Sequence, residues 1–294
     1  MDLGSDSRMK KFILTLLTLL TLFTSVAQNS VRITKSREHL KCNHKGICRC
    51  VRLDLTSPDI GEGLDSLRLV FITDTHFKSR FTEQTLQSLG RMLREINADI
   101  ILLGGDYQEG CEYVEPLFSE IMSSQPRHGA YAVMGNNDYE RCTDVILQSM
   151  QKNNITPIDN TIRSIFINGE KLVLIGAKNT FNTPETIPCP DANDVRLSDF
   201  VMLVTHTPDY IEDVDCPKVD FAMAGHLHGG QVTLFGLYAP VLPSHYGQKF
   251  RHGVKYNSKK QPILCSNGIG TSRMNIRFCA APEIHLIVLH SEKK

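Results

Sequence analysis

From residue 67 onward, apolar positions fall into short continuous runs and helical faces, separated by turns carrying Gly, Asn and Asp. Leu67-Arg68-Leu69-Val70-Phe71-Ile72 is apolar at nearly every position, the pattern of a strand buried on both faces. Phe81 to Ile96 repeats differently, with Leu86, Leu89, Leu93 and Ile96 on one face of a helix. Ile100 to Leu103 predicts a second strand, Val114 to Met122 a short helix, Tyr131 to Met134 a third strand and Tyr139 to Met150 a further helix. Ile162–Ile167 and Leu172–Ile175 predict a hairpin turning at Asn168-Gly169. Phe200–Val204, Phe221–Met223, Ile263–Cys265 and Ile284–Leu289 follow as strands. Strands alternate with helices early and dominate late, which predicts one α/β layered domain over 67–291.

The first 66 residues read differently. Lys10 and Lys11 precede a 16-residue apolar run, Phe12 to Ala27, short of the roughly 20 residues that span a bilayer. Ser25-Val26-Ala27 places small residues where a signal peptidase needs them. Residues 1–27 are therefore expected to be a secretory signal peptide or an uncleaved N-terminal anchor, with translation able to start at Met9. Both readings export the domain to the periplasm or cell envelope, because Lys10 and Lys11 stay inside. Residues 28–66 are basic at first (Arg32, Lys35, Arg37, Lys41, Lys45, Arg49) and end in the turn Ser57-Pro58-Asp59-Ile60-Gly61. They are expected to form a peripheral lead-in of solvated strand and linker, whose charge could also meet anionic lipid headgroups.

Lys plus Arg and Asp plus Glu both number 32, so net charge carries no nucleic-acid signal. The nine cysteines are an odd number, so an exported chain cannot pair them all internally. Cys42, Cys48 and Cys50 crowd near His44 without a zinc spacing and could form a local disulfide; the other six read as small core residues.

The polar residues of interest sit where strands stop. Asp74-Thr75-His76, Gly104-Gly105-Asp106, Gly135-Asn136-Asn137-Asp138, Thr205-His206-Thr207 and Gly225-His226-Leu227-His228-Gly229-Gly230 each follow a predicted strand. Ligands of open α/β sheets bind beyond the carboxyl ends of strands, so five such clusters should converge. Asp74/His76 and His226/His228 are two apart, and in extended chain each pair points one way. Carboxylate, imidazole and carboxamide donors suit Mn, Fe or Zn. Seven donors, Asp74, His76, Asp106, Asn136, His206, His226 and His228, exceed one ion's needs and fit two divalent metal ions, with Asp106 able to bridge. His245, Arg251 and His252 are either substrate contacts or loop surface. Asn179 to Asp194, with Pro184, Pro188 and Pro190, is expected to loop over the site.

The order D-x-H, G-D, G-N-x-D, T-H, G-H-x-H resembles that of calcineurin-like metallophosphoesterases, from about Leu67 to Leu289. The later residues Tyr246-Gly247, Asn267-Gly268-Ile269-Gly270-Thr271-Ser272, Arg277-Phe278 and Pro282-Glu283-Ile284 are similar to a bacterial membrane- or wall-associated subgroup that includes UDP-2,3-diacylglucosamine pyrophosphatases. The resemblance implies a four-layer sandwich of two mixed β-sheets flanked by helices. It implies that Asp74, His76, Asp106 and His228 hold one metal and Asp106, Asn136, His206 and His226 the other, with a bridging hydroxide attacking phosphorus. It further implies a phosphoester or phosphoanhydride substrate, small or lipid-linked, and makes Asp138 an orienting group.

One residue departs. The family has His where this chain has Asn137, and that His is thought to protonate the leaving oxygen, which a carboxamide cannot do. The diacylglucosamine pyrophosphatases commonly carry Arg there, so Asn137 remains a catalytic candidate beside Asp74 and Asp106. The lipid A pathway pyrophosphatase, whose substrate is cytosolic, is a second reading. A metal-binding scaffold without activity is a third, and the complete ligand set argues against it.

Overall fold

The computed structural model describes residues 31–37, 49–78, 81–178, 181 and 187–292. Among these, two mixed sheets stack on one another. The first contains β1 (Arg32–Arg37), β2 (Arg49–Ser57), β3 (Arg68–Ile72), β4 (Ile100–Leu103), β5 (Ala130–Ala132), β6 (Ile155–Pro157) and β13 (Glu283–Ser291), in the order β1-β2-β13-β3-β4-β5-β6. The second contains β7 (Thr161–Ile167), β8 (Glu170–Gly176), β9 (Phe200–Val204), β10 (Phe221–Ala224), β11 (Gly253–Tyr256) and β12 (Pro262–Cys265), in the order β11-β12-β10-β9-β8-β7. β3 to β6 run parallel, as do β8, β9, β10 and β12, so their carboxyl ends gather on one side of each sheet.

The continuous apolar runs are explained by burial on both faces. In β3, Val70 and Ile72 pack under helix α1 (Glu83–Ile96) and helix α2 (Val114–Met122), against Leu86, Leu89, Leu117 and Phe118. Leu69 and Phe71 point the other way, into an inter-sheet core with Leu174, Phe200, Met202 and Met223. Behind the second sheet, Val201 and Leu203 meet Tyr210 and Ile211 of the short helix α5 (Tyr210–Asp213). The result is the expected four-layer sandwich of two mixed sheets flanked by helices, with a thin fourth layer. Truncating Phe71 to Ala in such a core costs about 3–5 kcal/mol.

Local chemistry sets the element ends. α1 stops at Asn97, which adopts φ 50° and donates its N–H to Leu93 O. The β7–β8 hairpin turns at Asn168 (φ 49°) and Gly169 (φ 84°), the two left-handed residues that a tight hairpin needs.

Several expectations are corrected. Residues 49–57 are no surface lead-in: β2 lies inside the first sheet between β1 and β13, with Leu53 and Leu55 buried. Its alternation was masked by Arg52 and Asp54, which face away from the inter-sheet core and pair at 2.8 Å. The helix expected over Tyr139–Met150 is two helices, α3 (Asn136–Glu140) and α4 (Thr143–Lys152), parted at Cys142, whose φ is 64°. The later cysteines are not all simple core residues, because Cys111 pairs with Cys142 and Cys189 with Cys216. The short strands β6 and β11 carried too few apolar positions to be read. The apolar segment 12–27, and Cys42, His44 and Cys48, lie outside the described residues. No helix among the described residues is long and apolar enough to cross a membrane.

Candidate metal centre

The five motifs meet at the carboxyl ends of β3, β4 and β5 in one sheet and β9 and β10 in the other. Asp74, His76 and His228 offer ligand atoms within 4.8 Å of one another, and Asp106, His206 and His226 do the same. All six side chains are buried. One oxygen connects the two groups: Asp106 Oδ2 lies 3.4 Å from His76 Nε2 and 3.4 Å from His206 Nε2. His228 Nε2 lies 3.4 Å from Asp74 Oδ1.

The backbone is bent to achieve this. Asp74 (φ 50°), His76 (φ 39°), Asp106 (φ 54°), His226 (φ 68°) and His228 (φ 51°) all occupy left-handed conformations. Such conformations cost non-glycine residues about 1–3 kcal/mol each and persist where the surroundings enforce them. The enforcement is visible: Asp74 N–H donates to Gly105 O (2.9 Å), His76 N–H to Asp106 O (3.1 Å) and His226 N–H to Asp74 Oδ2 (3.0 Å). These are not the extended stretches expected of residues two apart, so His226 and His228 part company, one to each group. Gly225 admits the approach, since a Cβ there would stand 2.0 Å from Asp74 Oδ2.

Hydrogen bonds also orient the rings. His206 Nδ1 lies 2.7 Å from Gly104 O, so that nitrogen carries a proton and Nε2 is the atom that faces Asp106 Oδ2. His76 Nδ1 lies 2.7 Å from Glu109 Oε1, which leaves Nε2 bare. Arg277 Nη2 stands 3.2 Å from His228 Nδ1. A guanidinium only donates, so this bond puts the ring proton on Nε2. Ligation through Nε2 therefore requires Arg277 to release Nδ1, so that the ring proton can move to it.

Burial would raise the Asp106 carboxyl, but His206, His76 and His226 outweigh it and hold it well below the usual range. Burial likewise opposes charging His206, yet Asp106 and Asp74 lift it to about 10. Burial, with His206 beside it, drives His226 down to about 3. Burial, with His76 beside it, pushes His228 down well below the ordinary range. The neutral imidazoles of His226 and His228 beside the ionised Asp106 carboxylate are donors suited to borderline divalent cations, and a cation would displace the proton that His206 otherwise holds between Asp106 and Asp74. His76 Nε2, His226 Nε2 and Asn136 Oδ1 are buried without a hydrogen-bond partner, a cost that a cation accepting their lone pairs would remove. The donor set thus fits a metal pair.

Asn137 donates its main-chain N–H to Asp106 Oδ1 (3.0 Å) and its amide Nδ2 to Asp106 Oδ2 (2.6 Å). Asp138 accepts from the N–H groups of Asp106 (2.7 Å), Tyr107 (3.1 Å) and Gly135 (2.8 Å), the orienting role expected of it. Arg251 is not loop surface: it is buried and donates to Gly229 O (3.2 Å) and Gly236 O (2.6 Å). His245 is exposed, and its N–H donates to Asp209 Oδ2 (2.8 Å). Of the expected loop Asn179 to Asp194, residues 179–180 and 182–186 lie outside the described residues. The ring of Phe181 is centred 4.3 Å from that of His226. Sequence reasoning missed Glu109, although a carboxylate three residues after Asp106 is the partner that a ligating histidine calls for. It also gave no role to Thr73, whose hydroxyl donates to Asp74 Oδ2 at 2.7 Å.

Residues 67–230 match the family described as calcineurin-like phosphoesterase. The chain is 28% identical to the uncharacterized metallophosphoesterase YkuE of Bacillus subtilis over 79% of this chain and 82% of that one. It is 26% identical to the phosphodiesterase YaeI of Escherichia coli, covering 76% of this chain and 82% of that one. It is 22% identical to the UDP-2,3-diacylglucosamine pyrophosphatase LpxG of Chlamydia trachomatis, covering 85% of this chain and 90% of that one.

Proposed function

We propose that two-metal hydrolysis of a phosphoester or phosphoanhydride bond is the activity of this chain, which belongs to the calcineurin-like phosphoesterase family. The observation that carries the reading is Asp106 Oδ2, set 3.4 Å from a histidine nitrogen of each ligand group. Asp74, His76, Asp106 and His228 would hold one ion, and Asp106, Asn136, His206 and His226 the other. A bound pair of Mn, Fe or Zn supplies a water acidified to near neutral pH and positive charge for the phosphoryl oxygens. The chain's own residues do the rest. Gly104 and Glu109 fix two imidazole tautomers. Asp138, through three backbone N–H groups, holds the turn that aims Asp106. Asn137 sits against Asp106 with an amide that donates hydrogen bonds and no proton.

The export reading is supported by Lys10-Lys11 before the apolar run 12–27 and by the pairs Cys111–Cys142 and Cys189–Cys216, bonds that persist in oxidising compartments. A lipid-linked substrate is supported by the name of the chlamydial relative. The pyrophosphatase reading rests on the same relative and on the missing histidine at Asn137, and a cytosolic substrate argues against it.

The test is turnover of a phosphate monoester, a diester and a pyrophosphate by purified protein reconstituted with Mn²⁺, Zn²⁺ or Mg²⁺. Metal-dependent hydrolysis of at least one class is expected. No turnover by protein carrying two ions per chain would end the proposal. Intact mass from the native cell tests export: cleavage after Ala27 leaves Gln28 as the first residue, and a retained 12–27 segment marks an anchor.

A further inference from the structure

The exposed apolar residues are concentrated beside the metal centre. Of thirteen large hydrophobic side chains exposed among the described residues, eight lie in two loops: Leu234, Phe235, Leu237, Tyr238 and Val241, then Met274, Ile276 and Phe278. Phe235 is 84% exposed and Leu237 82%. The two loops form one surface. Thr233 N–H donates to Phe278 O (3.0 Å), Phe278 N–H to Gln231 O (2.8 Å) and Gln231 Nε2 to Met274 O (2.9 Å). Leu234 and Tyr238 close a small hairpin, with Phe235 at φ 52° and Gly236 at φ 77° at its tip.

This surface is joined to the ligands. The hairpin follows the His228–Gly230 turn after three residues, and Arg277 of the second loop donates to His228 O at 3.1 Å. Arg251 ties Gly229 O to Gly236 O, bracing the hairpin against the ligand turn. Its charge is one-sided as well. From Phe221 to Pro282 the chain has no Asp or Glu, but it carries Lys249, Arg251, Lys255, Lys259, Lys260, Arg273 and Arg277, although the protein's net charge is zero. Lys249 and Lys259 are paired with Glu212 and Asp215; Arg273 is exposed within the apolar loop itself.

We propose that the Leu234–Val241 hairpin and the Met274–Phe278 loop dock the protein onto an anionic lipid surface, so that the metal centre acts on phosphate groups of membrane lipids. Aliphatic and aromatic side chains at a loop tip, with the exposed Arg273 beside them and no acid within either loop, match the apolar-to-headgroup boundary of a bilayer in both layers. Contiguous exposed apolar patches mark interaction sites. The assignment of lipid phosphate as substrate rests on the hydrolase reading; the docking itself does not.

The chain contains no tryptophan, so one can be introduced as a local reporter in the full-length protein. Phe235→Trp reads the hairpin, and Leu197→Trp reads an exposed position outside the two loops, 83% exposed in the parent. With phosphatidylcholine–phosphatidylglycerol vesicles, Phe235→Trp emission is expected to shift to the blue and to be quenched by brominated acyl chains. Leu197→Trp is expected to do neither, and Leu237→Glu placed beside Phe235→Trp should abolish the response. An unshifted Phe235→Trp on protein that co-floats with the vesicles would overturn the proposal, because the N-terminal segment would then be the only membrane contact. A blue shift that grows with protein concentration in the absence of lipid would also overturn it, in favour of a second copy on this face. Turnover of a soluble aryl phosphate by the same preparations tests the hydrolase reading separately.

Discussion

Glu109 Oε1 lies 2.7 Å from Nδ1 of His76 and so decides which nitrogen of that ring is free to bind metal. With the proton held on Nδ1, the buried and unpartnered Nε2 is left as the donor. Loss of such an orienting carboxylate typically weakens metal affinity by about 10–100-fold. Glu109→Ala should therefore weaken one of two sites by that order while leaving the melting temperature of metal-free protein nearly unchanged, since Glu109 is partly exposed. Titration with Mn²⁺ or Zn²⁺ resolves the two sites; equal weakening of both, or of neither, contradicts the assignment.

Asp106 and His228 should behave differently from each other. Asp106 Oδ2 faces a histidine of each ligand group, whereas His228 belongs to one. Elemental analysis of purified protein should find close to two transition-metal ions per chain. Asp106→Ala should retain neither, and His228→Ala about one. A full complement in Asp106→Ala would remove the bridge.

The Cys111–Cys142 pair ties the turn before α2 to the start of α4 across a sequence separation of 31. Closing a loop of that length should stabilise the fold by about 3–4 kcal/mol on the chain-entropy account. Replacing both residues with Ser should lower the denaturant midpoint accordingly and make that region insensitive to reductant. Intact mass before and after alkylation under denaturing, non-reducing conditions checks that the bond forms.

Much of this was legible in the sequence. The parallel strands were readable because burial on both faces leaves continuous apolar runs such as Ile100–Leu103. The ligands were readable because Asp, His and Gly at strand ends have few other reasons to recur in that order. β2 was not, because Arg52 and Asp54 pair across one face of a half-buried strand and look like a solvated segment. Glu109 and Thr73 were not, because they act through His76 and Asp74, and only distances reveal that. The disulfides were not, because partners 31 and 27 residues apart carry no local signal.

Acid should destabilise the fold through Glu283. Burial would raise this carboxyl, but His285 at 3.4 Å, the Asn267 N–H at 3.1 Å and Arg49 at 3.3 Å outweigh it and hold it at about 2, against 4.5 when unfolded. The folded form binds the proton less tightly, so the stabilisation is present above pH 4.5 and is lost as pH falls toward 2. Its size is on the order of 3 kcal/mol. Glu283→Gln should be less stable at neutral pH and flatter between pH 4.5 and 2 than the parent. Parallel pH profiles of the two proteins would rule out this source of acid sensitivity.

Asn137 packs on Asp106 through both its N–H groups, and a carboxamide at that position has no proton to give at neutral pH. An alkoxide expelled from a simple monoester or diester is a strong base and benefits most from a proton donor. General acid catalysis contributes about 10²–10⁴-fold, or roughly 3–5 kcal/mol of barrier. A phosphate leaving from an anhydride, or a nitrophenolate leaving from an aryl ester, is a far weaker base and loses little without one. Anhydrides and aryl esters should therefore be cut much faster than alkyl esters. Asn137→His would set an imidazole next to the same carboxylate and should raise alkyl ester turnover selectively, leaving the aryl rate nearly unchanged. The measurement is log rate against leaving-group pKa for both proteins, with metal content matched. A steep negative slope in the wild type that flattens in Asn137→His is expected. A flat wild-type slope would mean that another group already delivers the proton, with the exposed His245 the first candidate to replace.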